Sequence, residues 1–340
     1  MTDEARQGFW GVVYVSRGGK ELLHEAYGLS DRQSNTPMRK DTVIDSGSLS
    51  KQATATAALV LARENKLALT DTLSKHFRNV PPDKAAITIR QLLSHTSGLQ
   101  EWVFNDDFVP VPRDVWLAKI FSTPLAHAPG SKYLYSNDGI TVVAMIIENV
   151  TGQPYQRYLR EKFFAPLHMD HTGWYDDAIF DSPAVSVATG YRNGKDDGAP
   201  NEWPGPYWAL LGNGGILWNV ADMLKWHQAI QGSLLTQAER DQLFEPIVED
   251  PERFLYPSET APMHYGLAWR IGRSVCGDTR IAHTGTGLSH NVSYRYYRER
   301  DILIYAASNK LDSDYRGQET IYARRAAEAL TRVMMEDCSR

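Results

Sequence analysis

Ser48 and Lys51 form an S-x-x-K pattern that could supply nucleophilic catalysis. A serine hydroxyl is a weak nucleophile until a neighbouring base takes its proton. A spacing of three residues places both side chains on one face of a helix. The segment after Lys51 is apolar and rich in helix formers, and burial there would lower the pKa of the lysine until it can act as a base. The alternative interpretation is a helix-capping serine followed by a surface lysine.

A second candidate group is Tyr135-Ser136-Asn137, which follows Pro129-Gly130 and precedes a helix. A tyrosine hydroxyl can relay a proton to a leaving group, and an asparagine amide can bind both a substrate carbonyl and the lysine side chain. Tyr191-Arg192-Asn193 has the same Y-x-N spacing but lies in a Gly/Pro-rich loop, so we prefer Tyr135. The alternative is a core tyrosine beside a helix-capping asparagine.

The third candidate group is His283-Thr284-Gly285, at the end of a predicted strand and followed by Thr286. A glycine at a strand edge lets a substrate backbone approach closely. A backbone N–H at this edge could form half of an oxyanion hole, with the N–H of Ser48 as the other half. The alternative is a solvent-facing histidine on a strand. A second H-T-G, His171 to Gly173, lies in a loop and is predicted to be structural.

These residues must be positioned by strands at both ends of the chain and helices between them. Residues 176–215 are rich in Gly and Pro and are predicted to be loop-like. Strand patterns occur at 11–15, 21–28, 265–271, 280–283, 292–297 and 302–307, and helical patterns at 48–67, 88–93, 139–150, 221–230 and 319–335. The pattern predicts an α+β fold in which both termini form one antiparallel sheet.

Composition excludes several classes of protein. The 340 residues include 36 Lys+Arg and 41 Asp+Glu, a formal charge of −5, which disfavours nucleic acid as a partner. No apolar run is long enough to span a membrane. No Walker A motif occurs, and His168 and His171 have neither a third ligand nor a helical H-E-x-x-H context, so we expect neither cofactor nor metal. Cys276 and Cys338 could form one bridge, but two free thiols are the simpler expectation.

Taken together and in this order, the three groups resemble the serine β-lactamase and penicillin-binding protein superfamily, in its class C β-lactamase, D-Ala-D-Ala carboxypeptidase and esterase branch. The octet from Leu92 to Leu99, LLSHTSGL, is a specific element of the likeness, which covers nearly the whole chain. The resemblance implies a sheet domain from residues 1–55 and 262–340, an inserted, mostly helical domain from 56–261, and an active site between them.

By position, the resemblance implies that Ser48 is the acylated nucleophile, Lys51 its proton acceptor and Tyr135 part of the same proton network. Asn137 would orient the substrate, and the N–H groups of Ser48 and Thr286 would hold the oxyanion. His283 stands where many β-lactamases have lysine. Its weaker, pH-dependent charge favours an esterase or a peptidase over an efficient β-lactamase.

The leading hypothesis is therefore a serine hydrolase that forms an acyl-enzyme from a small ester, an amide or a D-peptide. The alternatives are a penicillin-binding protein or β-lactamase, and a non-catalytic ligand-binding scaffold of the same fold. The polar start of the chain has no signal-peptide core. It predicts a cytoplasmic protein as the sequence stands, or a periplasmic or secreted one if a leader has been removed. The sequence predicts no oligomeric state.

Overall fold

Strands occur at both ends of the chain and at several points between. The computed structural model describes residues 8–104, 106–251, 262–313 and 319–336. In chain order its strands are β1 (Gly11–Arg17), β2 (Lys20–Tyr27), β3 (Leu29–Asp31), β4 (Thr36–Pro37), β5 (Ile44–Asp45), β6 (Tyr191–Arg192), β7 (Lys195–Asp196), β8 (Leu217–Trp218), β9 (Val248–Asp250), β10 (Met263–Tyr265), β11 (Arg270–Arg273), β12 (Thr279–Thr286), β13 (Asn291–Tyr297), β14 (Ile302–Ser308), β15 (Lys310–Ser313) and β16 (Glu319–Ile321).

Eight of these strands form the main antiparallel sheet, in the order β2-β1-β14-β13-β12-β11-β10-β9. The first strand of the chain therefore pairs with a strand near its end, with Val13 opposite Ala306. This arrangement confirms the predicted fold class, a sheet built from both termini. The sheet also takes in β9, which lies within the range predicted for the inserted domain. The division into 1–55 with 262–340 and 56–261 stays a prediction.

Helices fill most of the middle of the chain, and one more follows the last strand. They are α1 (Lys51–Arg63), α2 (Leu73–His76), α3 (Ile89–Leu93), α4 (Arg113–Ser122), α5 (Asn137–Thr151), α6 (Tyr155–Leu159), α7 (Val220–Gln231), α8 (Gln237–Leu243) and α9 (Tyr322–Met334). Short 3₁₀-helical turns at Gly47–Ser50, Ala178–Asp181 and Pro200–Glu202 and a π-helical turn at Arg160–Phe164 complete the helical content of the described residues.

The sheet is covered on both faces, as the alternation along β14 shows. Leu303, Tyr305 and Ala307 join the large core shared with α1 and α5. Ile302, Ile304 and Ala306 pack with the alanine-rich face of α9. Successive strand residues point to opposite faces, so a strand that is apolar throughout must lie between two layers. Helix α1 is buried on every side from Lys51 to Leu61, which explains why no charged residue follows Lys51 within this stretch.

The prediction of one continuous strand over residues 265–271 is wrong. The structure divides it into β10 and β11, which pair as a hairpin with His264 opposite Ile271. Ala268 has φ of +60° in the connection, a left-handed conformation that an alanine gives no reason to expect. The division matters because it turns Arg270 back along the sheet. The last helix also begins later than predicted, at Tyr322, because residues 319–321 pair with β15.

One prediction about the cysteines is wrong as well. Cys276 is disulfide-bonded, whereas we expected free thiols. Cys338 lies outside the described residues. Within the part of the chain that the structure covers, every helix is too short or too polar to cross a bilayer.

Candidate active site

Ser48 lies in the 3₁₀-helical turn Gly47–Ser50, which runs directly into α1. The helix itself therefore starts at Lys51 rather than at Ser48. Gly47 has φ of +49°, and a Cβ atom placed on it would lie 2.6 Å from the backbone nitrogen of Thr286. Only glycine allows the turn to approach β12 this closely. The nucleophile turn is thereby brought against the strand that carries the H-T-G residues.

Lys51 is fully buried, and its Nζ atom lies 2.8 Å from Oγ of Ser48. The same Nζ atom donates a hydrogen bond to the backbone carbonyl of Asn213 at 2.8 Å. Burial holds the pKa of Lys51 well below its usual value, and the positive charge of Arg270 lowers it further. The carboxylates of Asp107 and Glu101 act in the opposite direction. The lysine is not on the surface, and as a neutral amine it is poised to take the serine proton.

The ring of Tyr135 packs beside this pair. Nζ of Lys51 lies 4.9 Å from the centre of the ring, and the tilted imidazole of His95 packs against it with the ring centres 4.3 Å apart. Tyr135 lines a cleft of about 540 Å³ together with Ser48. The other Y-x-N tyrosine, Tyr191, is buried elsewhere, where its hydroxyl accepts a hydrogen bond from the backbone N–H of Arg32. The structure thus brings Tyr135, and not Tyr191, next to the S-x-x-K pair.

Asn137 is the first residue of α5, and Ser136 caps this helix by accepting the N–H of Gly139. Asn137 lines the same cleft and is 6% exposed. Its Oδ1 atom makes no hydrogen bond to the described residues. The expected contact of its amide with the lysine is not formed, because Nζ of Lys51 is directed at the carbonyl of Asn213. An unpaired acceptor of this kind suits a donor on a bound substrate.

Asn213 is a site residue that the sequence analysis did not identify. Besides accepting from Lys51, it donates through Nδ2 to Thr141 Oγ1 at 2.8 Å and to the Ala209 carbonyl at 2.6 Å. These bonds fix the loop whose carbonyl orients the lysine amine. The available signal was its position among three glycines, Gly212, Gly214 and Gly215, two of which have positive φ.

The end of β12 forms the opposite wall of the cleft. Thr284 and Thr286 line it, while Gly285 faces the nucleophile turn. A Cβ atom on Gly285 would lie 1.8 Å from the carbonyl oxygen of Ser46, so any side chain there would force the two segments apart. The H-T-G glycine is needed for this backbone contact rather than for the approach of a substrate.

His283 is placed differently from the expectation. It is 1% exposed and is not among the residues that line the cleft, so both a solvent-facing position and a cleft cation are excluded. Its Nδ1 atom donates to the carbonyl oxygen of Thr284 at 2.6 Å, and its Nε2 atom lies 2.9 Å from the hydroxyl of Tyr265. Burial, Arg270 and Lys51 hold its pKa well below the usual value. The physical reason is that the ring turns behind the strand, toward Tyr265.

The hydrogen bonds around Tyr265 have one consistent direction. The backbone N–H of Ser136 donates to Nδ1 of His95, so Nε2 of His95 carries the proton and donates to the Tyr265 hydroxyl at 3.1 Å. That hydroxyl then donates to Nε2 of His283, whose Nδ1–H meets a carbonyl. Both histidines are neutral in this chain of bonds, which links the residue before Asn137 to β12.

The cation that does reach the cleft from the sheet is Arg270, on β11. Its Nε atom donates to Oδ2 of Asp250 at 2.7 Å, and both side chains are buried. The guanidinium lies within 6 Å of the ring centres of Tyr135 and Tyr265. Arg270 was not predicted as a site residue, although a single arginine in the otherwise apolar run from Leu267 to Ile271 was a usable signal.

The remaining lining divides by charge. Glu101, Asp107 and Asp45 supply carboxyl groups, and Arg324 supplies a second guanidinium. Trp102 is 45% exposed and forms an aromatic edge of the cleft. Trp203, by contrast, is buried against Tyr175 and donates to the carbonyl of Asp197, so it anchors its loop.

The chain is similar to known proteins over most of its length. Residues 3–329 match the protein family described as Beta-lactamase. The chain belongs to this family. The match confirms the predicted family, and the fold and its solved neighbours confirm the predicted fold class. Family membership supports the predicted serine-hydrolase function.

Three similar proteins are one curated relative and two solved structures. Penicillin-binding protein 4* of Bacillus subtilis is 25% identical over 330 residues, which cover 90% of this chain and 70% of that protein. The D-amino acid amidase of Ochrobactrum anthropi SV3 matches with a TM-score of 0.80 and 22% identity, covering 99% of this chain and 96% of that one. EstCE1, a hydrolase with promiscuous acyltransferase activity, matches with a TM-score of 0.76 and 21% identity, covering 96% and 97%. Protein flp of Staphylococcus aureus is 34% identical over 170 residues, which cover 48% of this chain and only 34% of that protein.

Proposed function

We propose that this chain is a serine hydrolase that forms an acyl-enzyme on Ser48 from an ester or amide substrate. The observation that carries the proposal is the 2.8 Å contact between Nζ of the buried Lys51 and Oγ of Ser48 in the wall of the cleft. A surface serine beside a solvated, charged lysine would have no base available at neutral pH. Here burial supplies one.

In the proposed acylation, neutral Lys51 takes the proton of Ser48 while Oγ attacks the substrate carbonyl carbon. The bond to Asn213 holds the lysine amine, whose Nζ atom lies 2.8 Å from Oγ of Ser48 and so within reach of its proton. The developing oxyanion lies between the N–H groups of Ser48 and Thr286, on the two segments that Gly47 and Gly285 allow to meet. Tyr135 relays the proton from Lys51 to the leaving group. Water then attacks the acyl-enzyme with Lys51 again as base.

The acidic wall of the cleft suggests the acyl group. Glu101 and Asp107 lie on one loop with Trp102 between them, and the backbone carbonyl of Glu101 accepts the N–H of Asn137. Two carboxylates at the end of an aromatic edge favour an acyl group that carries an ammonium ion and an apolar side chain. An aminoacyl amide or ester fits this description. The likeness to D-amino acid amidase supports the D configuration.

Penicillin binding or β-lactam hydrolysis is the second candidate, and the likeness to a penicillin-binding protein favours it. A β-lactam carboxylate needs a cation in the cleft. Neutral His283 does not supply one, and the charge of Arg270 is largely balanced by Asp250. The other guanidinium of the lining, that of Arg324, shares the cleft with the carboxyl groups of Glu101, Asp107 and Asp45. We therefore rank this activity below aminoacyl hydrolysis. A non-catalytic scaffold would need neither the buried lysine nor its contact with serine.

Intact-mass spectrometry tests these alternatives. The protein is incubated with p-nitrophenyl acetate, with D- and L-phenylalanine amide and with benzylpenicillin, and Ser48→Ala is the matched control. An adduct or turnover with the ester or D-amide that the variant lacks supports the proposal. A stable adduct with benzylpenicillin alone would replace it with penicillin binding. No adduct and no turnover with any substrate would favour the hypothesis of a non-catalytic scaffold.

A further inference from the structure

We propose that Asp45 is a positioning residue of the oxyanion site, whose carboxyl group sets the spacing between the Ser48 turn and the end of β12. This inference rests on the proposed function. An oxyanion hole made from two separate segments has no covalent link to fix the distance between its donors. A displacement of about 1 Å in such a site can cost about 10²-fold in rate. Some contact must therefore hold the two segments in register.

Asp45 makes that contact on both sides. Its Oδ1 atom accepts the N–H of Gly47 at 2.9 Å, immediately before the nucleophile. Its Oδ2 atom lies against Gly287, immediately after Thr286, where a Cβ atom would come within 2.1 Å of it. The carboxyl group therefore fills the gap between the residues that flank the two oxyanion donors.

The backbone of Asp45 strengthens the same connection. Its N–H donates to Nδ1 of His290 at 2.9 Å, and the carbonyl of His290 accepts the N–H of Gly287 at 2.9 Å. Burial lowers the pKa of His290 to about 3, so its ring is neutral and can accept. Asp45 is also paired with Leu217 of β8, which prevents it from shifting along the turn.

The charge of this carboxyl group bears on catalysis as well. Asp45 is fully buried, and burial raises its pKa to about 6. The groups that face it are the hydroxyl of Tyr175, which donates to Oδ2 at 3.0 Å, Asp107, Tyr305 and the neutral His290. None of these is a cation. A negative charge beside the site where an oxyanion develops opposes its formation, so the protonated form of Asp45 is the better support.

Asp45→Asn tests the charge, because the variant loses the carboxylate but keeps Oδ1 as the acceptor for the N–H of Gly47. We measure kcat/KM of the variant and of the wild type for the same ester from about pH 5 to about pH 8. At each pH the value for the variant is divided by the value for the wild type. The ratio cancels the contribution of Lys51. It should rise about 3- to 10-fold across this range, because only the wild type acquires the opposing charge. Asp222→Asn is the matched control, since Asp222 is equally buried and also accepts a backbone N–H, that of His171, but lies outside the cleft. For Asp222→Asn, the ratio of its kcat/KM to that of the wild type should not change with pH.

Asp45→Val tests the positioning role, because valine fills the space without accepting the N–H of Gly47. We expect kcat to fall about 10- to 100-fold with KM within about twofold of wild type. Thermal unfolding verifies that the variant folds, and if it does not, the Asp45→Asn ratio decides alone. A ratio independent of pH, or an unchanged kcat in folded Asp45→Val, overturns the inference while wild-type turnover of the ester still supports the proposed function. An inactive wild type would instead overturn the proposed function.

Discussion

The hydroxyl of Tyr265 lies 2.9 Å from Nε2 of His283, and through it the H-T-G strand is tied to His95 and to the start of α5. Tyr265→Phe should remove this tie and leave ring nitrogens of two buried histidines without a partner. Each unsatisfied buried polar group costs about 1–3 kcal/mol, so we expect the free energy of unfolding to fall by about 2–4 kcal/mol in urea titrations.

Tyr158→Phe provides the comparison for that experiment. Tyr158 is also buried, but its hydroxyl makes no hydrogen bond to the described residues. Its removal should change the unfolding free energy by less than about 0.5 kcal/mol. Equal losses in both variants would show that the ring packing, and not the hydrogen-bond chain, accounts for the effect.

His283 should remain neutral across the physiological range. Its pKa is lowered by burial and by the charges of Arg270 and Lys51, and its Nδ1–H is already donated to a carbonyl. In an NMR titration its ring signals should show no inflection between about pH 5.5 and about pH 8, where an ordinary histidine titrates. An inflection near pH 6.5 would restore the interpretation of His283 as a pH-dependent cation.

Lys51→Met should separate stability from activity. The variant lacks the base, so acylation should fall by at least about 10²-fold. It should also unfold at a higher temperature, because an apolar side chain replaces an amine that is costly to bury.

In the wild type, kcat/KM should rise with pH as the lysine loses its proton, with an apparent pKa well below 10.5. A flat pH profile would point to a different base.

Tyr135→Phe keeps the ring that packs against Lys51 and His95 but removes the hydroxyl. If the hydroxyl relays the proton to the leaving group, acylation by an amide should slow by about 10²-fold or more. A p-nitrophenyl ester, whose leaving group needs no proton, should be affected much less. Stopped-flow measurement of both substrates gives this contrast, and equal losses would argue for a packing role.

Asp107→Asn should weaken binding of substrates that carry an ammonium ion. Loss of one charge-assisted contact of about 1.5 kcal/mol corresponds to a roughly tenfold rise in KM for D-phenylalanine amide. N-acetyl-D-phenylalanine amide should show no such rise. Asp106→Asn is the control, because this neighbouring acid does not line the cleft. A similar rise in both variants would indicate a general electrostatic effect.

Much of this site could be predicted from local sequence. Ser48 and Lys51 are three residues apart, so their meeting depends only on helical geometry. The sheet was predictable because each of its longer strands carries its own apolar run. Short β9 was not, since three residues give no periodic signal and its partner becomes evident only in the folded sheet.

The parts that escaped prediction depend on tertiary contacts. His283 was predicted as a site residue, but the direction of its side chain was not predicted. The partner that turns the ring away from the cleft lies on β10. Arg270 was hidden by the unexpected turn at Ala268, which divides one apparent strand into two. Asn213 acts through its backbone carbonyl, and a carbonyl leaves no trace in the residue type.

The close contact of Gly47 and Gly285 with the backbone opposite them has a consequence for how this enzyme could acquire new substrates. A side chain at either position would meet main chain, so neither glycine can be substituted without separating the catalytic segments. Glu101, Trp102 and Asp107 also line the cleft, and Trp102 is 45% exposed. Variation aimed at a different acyl group, in evolution or in a designed library, should therefore be better tolerated at these three residues than at Gly47 or Gly285.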